Sequence, residues 1–404
     1  MDSPANIVIA GAGLAGLSAA EALRQRGYDG RLIVLNAEDD APYERPPLSK
    51  DFLSGKRSAG DLHLRTPEFL SGAMIELLPD TASRVDVRSQ RVFLASGSAL
   101  PFDRLLLATG SKPRTLQDSA DVPLHYLRTL ADARAVKEQI RPGQRIALVG
   151  GGYISLEIAA TAATMGCEAV ILESQPRLLP RINIPSLTQF ITARHVAAGI
   201  RLHLGCTLRR LRRTGSVMRI DLDSSQSVEA DCVIVGIGAA PDVALAQEAG
   251  LDIGNGIRVR QDMTTSCELV YAAGDNAEYW NGVHDCWLRT ESWQNAERQG
   301  RIAAGTMLGS PAIYSETPWF WTDQYEDNIQ LLGAPTRWDR EIRRGCPEDG
   351  KFSAFLLQDG IVVGAAFVND ARNVRPTRLA IEKRQAADPA LLEQPEVPVA
   401  RAFA

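Results

Sequence analysis

The sequence predicts an α/β protein in which two Rossmann-like dinucleotide-binding domains are joined to a C-terminal α+β domain with an antiparallel sheet. Two apolar strands each run into a glycine-rich turn, at Gly11–Gly16 and at Gly150–Gly152, and helical sequence follows each turn. Short apolar runs of strand length follow after about Pro318. Because the chain has 404 residues, which is long for one hydrophobic core, two or three domains are expected.

The order of these segments sets the expected domain boundaries. Residues 1–113 are expected to form the first part of one dinucleotide-binding domain, and residues 114–238 a second one. Residues 239–317 are expected to complete the first domain, and residues 318–404 to form the C-terminal domain.

The first glycine-rich turn has the features of a dinucleotide fingerprint. Gly11 permits a tight turn, Gly13 lets the backbone approach a pyrophosphate, and Gly16 lets the next helix pack close to its strand. An isolated glycine pattern also fits an ordinary strand-turn-helix. Here a predicted helix over Leu17–Arg26 and a strand over Arg31–Leu35 complete the βαβ unit that the fingerprint requires.

An acidic residue after the second strand of this unit is expected to bind the ribose of the first dinucleotide. The segment there is Asn36–Asp40, and Glu38 is the candidate because Asn and Ala occupy the two positions before it. The alternative is a solvated acidic loop.

The second fingerprint begins at the strand Arg145–Val149, continues through Gly150–Gly152 and leads to a strand that ends in Glu173. Ser155 stands where a third glycine or alanine is usual, so the helix is expected to lie slightly further from its strand. Two dinucleotide sites in one chain indicate hydride transfer between a bound flavin and a nicotinamide.

The position of Glu173 favours NADH over NADPH. A carboxylate at the end of this strand accepts hydrogen bonds from a ribose 2′-hydroxyl and repels a 2′-phosphate. Arg177 and Arg181 lie nearby in the sequence and leave NADPH open as the alternative, because arginines also bind phosphates.

Composition excludes several classes of protein. The net charge of −5 argues against a nucleic-acid binder. The acidic start, Met1–Ala5, runs directly into the first strand and leaves no room for a signal peptide, and no apolar run reaches membrane-spanning length. We therefore expect a cytoplasmic enzyme with no membrane partner.

The six cysteines are scattered and form no C-x-x-C pair. Without a dithiol motif the chain is not expected to reduce a disulfide, and without clustered cysteines it is not expected to hold an iron–sulfur centre or another metal. A one-electron acceptor would therefore be a separate molecule.

The segment Pro42–Lys50 (PYERPPLSK) resembles the PYxRPPLSK motif of the flavin-dependent ferredoxin reductases of oxygenase systems, which have a glutathione-reductase-like fold. The segments Ala108–Gly110, Gly236–Pro241, Gly274–Asp275 and Glu291–Ala296 resemble further motifs of that family, in the same order. The resemblance covers nearly the whole chain. It implies bound FAD, NADH as the substrate, and a small acidic two-iron two-sulfur ferredoxin that feeds a haem monooxygenase or a Rieske dioxygenase.

The resemblance also implies roles for single residues. Lys50 would lie beside the flavin ring, with Glu157 as its partner, and Tyr153 would lie over the flavin; these three are the candidate catalytic residues. Asp275 would bind the ribityl chain, and the Trp293 backbone would donate to the flavin pyrimidine. The candidate cofactor-binding positions are Gly11, Gly13, Leu14, Ala15, Gly16, Glu38, Arg45, Lys50, Ser83, Ala108, Thr109, Gly110, Arg128, Gly150, Gly151, Gly152, Tyr153, Ile154, Glu157, Glu173, Arg181, Gly238, Gly274, Asp275, Trp293, Trp319 and Trp321.

Further expectations concern the strands and the termini. The segments Asp80–Val92 and Leu100–Gly110 are expected to be strands of the first sheet, and Phe352–Leu357 and Ile361–Phe367 antiparallel strands of the C-terminal one. The proline-rich tail from Asp388 is expected to be poorly ordered. The candidate arginines for docking an acidic ferredoxin are Arg301, Arg340, Arg343 and Arg344, whereas the run Arg209–Arg213 is expected to be a solvated face.

Two other functions fit the same resemblance. The first is a rubredoxin reductase or an NADH oxidase of the same fold, although the related peroxide- and water-forming oxidases carry a redox cysteine soon after the flavin fingerprint and here no cysteine precedes Cys167. The second is a redox-sensing interaction protein similar to apoptosis-inducing factor, which has the same architecture.

Overall fold

The computed structural model describes residues 4–116 and 122–404, so the expected N-terminal segment Met1–Ala5 and the polar linker at 111–123 lie partly outside the described residues. The chain divides into two compact units. The first contains Met1–Glu44, Leu62–Lys112 and Ala240–Phe320, and the second contains Arg45–Asp61, Pro113–Ala239 and Trp321–Ala404. The four domain segments expected from the sequence stay a prediction.

The α-helices are α1 Leu14–Gln25, α2 Pro67–Gly72, α3 Leu130–Gln139, α4 Tyr153–Thr164, α5 Pro185–Ala197, α6 Ala244–Glu248, α7 Trp293–Met307, α8 Val374–Glu382 and α9 Pro389–Leu392. Short 3₁₀-helices cover Pro46–Ser49, Gly60–Leu62, Pro347–Asp349, Ala371–Asn373 and Val399–Ala402. The strands are β1 Asn6–Ala10, β2 Arg31–Leu35, β3 Glu76–Leu78, β4 Ala82–Asp86, β5 Arg91–Leu94, β6 Ala99–Pro101, β7 Arg104–Leu107, β8 Ser111–Pro113, β9 Leu124–His125, β10 Arg145–Val149, β11 Glu168–Glu173, β12 Arg201–Leu204, β13 Leu208–Thr214, β14 Val217–Leu222, β15 Ser227–Ala230, β16 Cys232–Val235, β17 Ala239–Pro241, β18 Ile257–Val259, β19 Val270–Ala272, β20 Ala277–Asn281, β21 Cys286–Leu288, β22 Trp319–Gln324, β23 Asp327–Leu332, β24 Arg340–Cys346, β25 Lys351–Gln358 and β26 Ile361–Val368.

The first unit is built on a five-stranded sheet with the strand order β19-β7-β1-β2-β3. β1 pairs in parallel with β2 and with β7, and these strands are almost entirely apolar because a parallel sheet is covered on both faces. α1 packs closely against α7, since a Cβ at Gly300 would lie 2.2 Å from the carbonyl oxygen of Ala15. The buried side chains of the sheet and of both helices form one core.

The expectation that Asp80–Val92 belongs to this sheet is wrong. β4 and β5 pair antiparallel and form, with β6, a separate three-stranded sheet. Within Leu100–Gly110, β7 joins the parallel sheet. A short turn connects β4 to β5, whereas parallel neighbours need a crossover of about a dozen residues or more, which explains the antiparallel pairing.

The second unit contains a parallel sheet with the strand order β12-β11-β10-β16-β9. Its β10 has the bounds expected from the sequence. A three-stranded antiparallel sheet, β13-β14-β15, follows along the chain. The arginines of the run Arg209–Arg213 lie on β13 and are exposed, as expected for a solvated face.

The C-terminal strands form a five-stranded sheet in the order β22-β23-β26-β25-β24. Its strands β23 to β26 pair antiparallel. β25 and β26 are joined at Asp359 and Gly360, both with positive φ, which is the backbone of a tight hairpin turn. The predicted antiparallel sheet is therefore confirmed.

The tail after Asp388 is ordered, contrary to the sequence expectation. The Asp388 side chain accepts hydrogen bonds from Ala390 N and Leu391 N and so begins α9. The Arg344 guanidinium is buried and donates to the carbonyl oxygens of four tail residues. These are Leu391, Leu392, Pro395 and Val397. The backbone of this proline-rich segment is thus held by one side chain from β24.

None of the helices in residues 4–116 and 122–404 has both the length and the apolar character needed to cross a lipid bilayer.

Candidate active site

The first glycine-rich turn lies between β1 and α1 in the first unit. Gly11 has φ +119°, and a Cβ there would lie 2.2 Å from the carbonyl oxygen of Ala108, so only glycine fits. A Cβ at Gly16 would lie 1.9 Å from the Gly11 carbonyl oxygen, which keeps α1 close to its strand. The candidates Leu14 and Ala15 form the first turn of α1.

Glu38 lies half-buried after β2, at the position where the fingerprint requires an acid. The Tyr43 hydroxyl donates to Glu38 Oε2 at 2.5 Å, and the Asn36 amide donates to the Glu38 carbonyl oxygen at 2.8 Å. The carboxylate is therefore held in one place, and its ribose-binding role stays a prediction.

Gly274 and Asp275 follow β19 at the same end of the sheet. The Gln299 side chain accepts from Gly274 N at 2.8 Å, and the Ser111 hydroxyl donates to Asp275 Oδ2 at 3.2 Å. Arg289 donates to the Asp275 carbonyl oxygen at 3.0 Å. Sequence reasoning missed both residues; Ser111 reaches Asp275 from a distant part of the chain, and Arg289 follows it along the chain.

The remaining candidates of the first unit lie in different surroundings. The Ser83 hydroxyl donates to the Phe93 carbonyl oxygen at 3.1 Å within the sheet β4-β5-β6. Thr109, between Ala108 and Gly110, donates to the Asp242 carbonyl oxygen at 2.7 Å.

Trp293 is the first residue of α7, and Trp319 the first residue of β22. Cofactor contact by any of these residues stays a prediction.

The second glycine-rich turn lies between β10 and α4 in the second unit. Gly150 has φ +104°, and a Cβ there would lie 2.4 Å from the Gly236 carbonyl oxygen. Ser155 is buried with its hydroxyl facing Gly236, where a Cβ would lie 2.3 Å from that oxygen. The serine in place of the usual third glycine thus fits because the residue opposite it has no side chain.

Glu173 ends β11 beside this turn. Its Oε2 accepts from Gly151 N at 2.6 Å, and its Oε1 accepts from Gln175 N at 2.7 Å. Arg177 is bound to the carbonyl oxygens of Pro180 and Ile182. Two of the five N–H groups of the Arg177 guanidinium are therefore already used within the protein.

Arg181 approaches the loop after β16, because a Cβ at Gly238 would lie 3.1 Å from its guanidinium. Arg45 donates to the Arg128 carbonyl oxygen at 2.5 Å, so these two candidates are in contact.

Ile154, at the start of α4, is exposed. Trp321 lies in β22.

The candidate catalytic residues Lys50 and Glu157 form an ion pair inside the second unit, with 3.0 Å between Nζ and Oε1. Glu157 is buried on α4, and Lys50 is largely buried. The Thr322 hydroxyl donates to Glu157 Oε1 at 2.6 Å, and the Ser49 hydroxyl donates to Oε2. Sequence reasoning missed both hydroxyls, although Ser49 is the neighbour of Lys50 in the chain.

The surroundings of the Lys50–Glu157 pair affect the protonation of Glu157 and of the nearby Tyr153. The pKa of Glu157 is raised above its usual value, because the effect of burial exceeds the opposing effects of Lys50, Ser49 and Thr322. A carboxylate that accepts two hydroxyl hydrogen bonds and faces an ammonium is satisfied as an anion. Burial also raises the pKa of Tyr153, with a smaller contribution from Glu157, so its phenol stays neutral.

Both glycine-rich turns fit the phosphates of a dinucleotide. Among the described residues, no side chain caps α1 or α4, and neither helix has an acidic residue in its first turn. Their first N–H groups therefore remain open to an anion. A Cβ at Gly13 would meet no described atom within 4 Å, which leaves space for a phosphate beside this backbone.

We expect Gly13→Ala to weaken FAD binding while the chain stays folded. The added methyl group would clash with a phosphate and not with the protein, at a cost of roughly 1–3 kcal/mol, so the dissociation constant of FAD should rise about ten- to hundredfold. Fluorescence titration of the flavin-free protein measures it. Gly72→Ala, which also adds its methyl group to open space, is the control, and an equal effect of both variants would contradict the assignment.

Comparisons with known proteins agree with this geometry. The family model of the pyridine nucleotide-disulphide oxidoreductases matches residues 5–300, and a reductase C-terminal model matches residues 319–403. The ferredoxin–NAD(+) reductase component of the anthranilate 1,2-dioxygenase system of Burkholderia cepacia is 38% identical, over 96% of this chain and 97% of that protein. Putidaredoxin reductase of Pseudomonas putida is 36% identical, over 99% and 97%.

A solved structure shows the same fold. The covalent complex of putidaredoxin reductase with putidaredoxin contains a chain that superposes with a TM-score of 0.95 and 34% identity, over 99% of this chain and 98% of that one. The fold class and the oxidoreductase activity expected from the sequence are thereby confirmed. The chain belongs to the pyridine nucleotide-disulphide oxidoreductase family.

Proposed function

We propose that the chain takes hydride from NADH onto bound FAD and passes the electrons singly to a small acidic two-iron two-sulfur ferredoxin that feeds an oxygenase. A flavin accepts two electrons as hydride and releases them one at a time. Each NADH therefore reduces two ferredoxin molecules and releases one proton.

The observation that carries this proposal is the extent of the likeness to ferredoxin reductases. The reductase component of the anthranilate 1,2-dioxygenase system matches over almost the whole of both chains. The solved structure that contains a chain superposing at a TM-score of 0.95 is a covalent complex of putidaredoxin reductase with putidaredoxin. The two phosphate-binding turns and the buried Lys50–Glu157 pair agree with this function.

The residues of this chain have defined tasks in the proposal. The open N–H groups at the starts of α1 and α4, beside the turns Gly11–Gly16 and Gly150–Gly152, bind the two dinucleotides. Lys50 supplies a fixed positive charge where negative charge develops on the flavin, and Glu157 holds the Lys50 ammonium in position. Glu173 selects NADH because its carboxylate would repel a 2′-phosphate.

The proposal is tested on the purified full-length chain. We expect the absorbance bands of oxidised FAD, bleaching by NADH at a higher kcat/KM than by NADPH, and electron transfer to an acidic ferredoxin. Rapid oxygen consumption without ferredoxin would favour an oxidase. A colourless protein that does not take up FAD would refute the proposal.

We also propose a cytoplasmic location. All six cysteines are free thiols, which is usual in a reducing compartment.

The arginines proposed to dock the ferredoxin are Arg301 in the first unit and Arg340 and Arg343 in the second. Arg340 and Arg343 are exposed on β24, and Arg301 is partly exposed on α7. The expectation that Arg344 docks the ferredoxin is wrong, because Arg344 is 3% exposed and donates to carbonyl oxygens of the tail.

We expect the double substitution Arg340→Glu with Arg343→Glu to raise the KM for ferredoxin about tenfold or more at low salt and little at high salt. Exposed charge pairs contribute modestly one by one and are screened by salt. Steady-state ferredoxin reduction at two ionic strengths measures this. Arg209→Glu with Arg213→Glu makes the same charge change on β13, and an equal effect there would rule out a local docking surface.

A further inference from the structure

A continuous run of polar side chains begins at the half-buried Tyr325 and ends on the buried Glu157. Tyr325 contacts His195 Nδ1 at 2.8 Å, and His195 Nε2 contacts Gln324 Oε1 at 3.1 Å. Gln324 Nε2 lies 3.2 Å from the Thr322 hydroxyl, which lies 2.6 Å from Glu157 Oε1. These four hydrogen bonds join α5, β22 and α4 within the second unit.

The elements place these side chains in a line. Thr322 and Gln324 are two residues apart on β22, so they point to the same face of the strand. Thr322 and His195 are fully buried, and Gln324 is 3% exposed. Buried polar groups without water as a competitor depend on one another for their hydrogen bonds.

The chemistry of Glu157 fixes the direction of every bond in the run. An ionised carboxylate only accepts, so Thr322 must donate to Glu157 and can accept only from the Gln324 NH₂ group. The Gln324 oxygen then faces His195 and requires a proton on Nε2. His195 Nδ1 is left as an acceptor, and the Tyr325 hydroxyl donates to it.

The surrounding charges permit this arrangement. Desolvation lowers the pKa of His195 to about 4, so its ring is neutral near pH 7. At the Glu157 end of the run, the charged neighbours are Lys50 and Asp323, with 4.0 Å between Lys50 Nζ and Asp323 Oδ2. At the other end, the ion pair of Arg194 with Asp327 lies next to His195 and Tyr325. Of these, only the Lys50 ammonium contacts Glu157.

We propose that Tyr325, His195, Gln324 and Thr322 form a one-directional hydrogen-bond chain whose donors all point towards Glu157 and keep it ionised as the counter-ion of Lys50. Bonds aligned in this way polarise one another, so the carboxylate faces a stronger donor than an isolated hydroxyl. His195 and Gln324 are therefore positioning residues. They do not touch the reacting atoms, and they act on Lys50 through Thr322 and Glu157.

The effect of this hydrogen-bond chain on hydride transfer rests on the proposed function. If Lys50 is the cation beside the flavin, a change at the far end of the chain reaches hydride transfer through the charge of Glu157.

The test is a measurement of the His195 tautomer in the holoprotein labelled with ¹⁵N-histidine. The chain has five histidines, and His195→Gln assigns the signal by its loss. We expect His195 to carry its proton on Nε2 and to stay neutral at pH 6. Thr322→Val removes the hydroxyl without changing the volume, so Gln324 can turn its amide and the proton of His195 should move partly to Nδ1.

Thr188→Val is the matched control. Thr188 is also buried, on the same helix as His195, and its hydroxyl bonds the carbonyl oxygen of Ile184 and not the chain. The control should leave the tautomer unchanged. Infrared difference spectra should show the band of a protonated Glu157 carboxyl at a higher pH in Thr322→Val than in the wild type. The loss of this band in Glu157→Gln assigns it to Glu157.

The outcomes separate this inference from the proposed function. An unchanged His195 tautomer in Thr322→Val, or a proton on Nδ1 in the wild type, would overturn the hydrogen-bond chain. Flavin reduction by NADH about tenfold slower in Thr322→Val would support the link to Lys50. If NADH did not reduce the flavin of the wild-type protein at all, the proposed function would be refuted. The His195 tautomer would still test the hydrogen-bond chain.

Discussion

Replacing Lys50 with glutamine is expected to slow the reduction of bound FAD by NADH by two to three orders of magnitude. A positive charge about 4 Å from a developing negative charge contributes up to about 4 kcal/mol at an effective dielectric constant near 20, and roughly 1.4 kcal/mol corresponds to a tenfold change in rate. The substitution also leaves Glu157 buried without its cation, which favours its protonation. Stopped-flow absorbance of the flavin measures the rate directly.

Lys56→Gln is the control for this experiment. Lys56 lies in the same segment of the chain and is exposed, so it changes the net charge by the same amount without touching Glu157. FAD should stay bound in both variants, because the phosphates are assigned to the glycine-rich turns. An unchanged reduction rate in Lys50→Gln would contradict the catalytic role of Lys50.

The parts of the fold that the sequence predicts are those with a local cause. β1, α1 and β2 follow from apolar runs and from glycines with a local steric cause, as at Gly16, where a Cβ would lie 1.9 Å from the Gly11 carbonyl oxygen. The strands β25 and β26 follow from their hairpin turn at Asp359 and Gly360. Such features require only neighbouring residues, so they are visible in the sequence.

The features that the sequence does not predict depend on contacts between distant segments. Thr322 and Ser49 reach Glu157 from segments far from α4 in the chain, and hydroxyl side chains follow no periodic pattern that would reveal this. The resemblance to known reductases implied the pair of Lys50 with Glu157, whereas the residues that satisfy the carboxylate emerge only from the structure. The same holds for Ser111, whose hydroxyl donates to Asp275.

Arg344 shows why a charge in the sequence does not reveal its surroundings. Four arginines were equivalent candidates for docking on grounds of charge alone, but Arg344 is buried and holds the tail through four carbonyl oxygens. β24 is the last strand of its sheet, and edge strands are commonly covered to prevent pairing with other chains. The tail and α9 contact this strand, so the proline-rich segment has a structural task that composition does not show.

Arg344→Met should therefore lower the free energy of unfolding of the C-terminal domain by about 3 kcal/mol. Methionine retains much of the volume, but it removes the donor from four carbonyl oxygens of the tail. The loss costs roughly 1–3 kcal/mol for a group that water cannot reach, as at the buried Leu392, and less for the part-buried ones. Urea denaturation monitored by tryptophan fluorescence measures the loss, and limited proteolysis with mass spectrometry should locate new cleavage after Asp388. Arg343→Met removes an exposed arginine from the same strand and should change neither result. If both variants were equally stable and equally resistant to protease, the tail would not depend on Arg344 for its order.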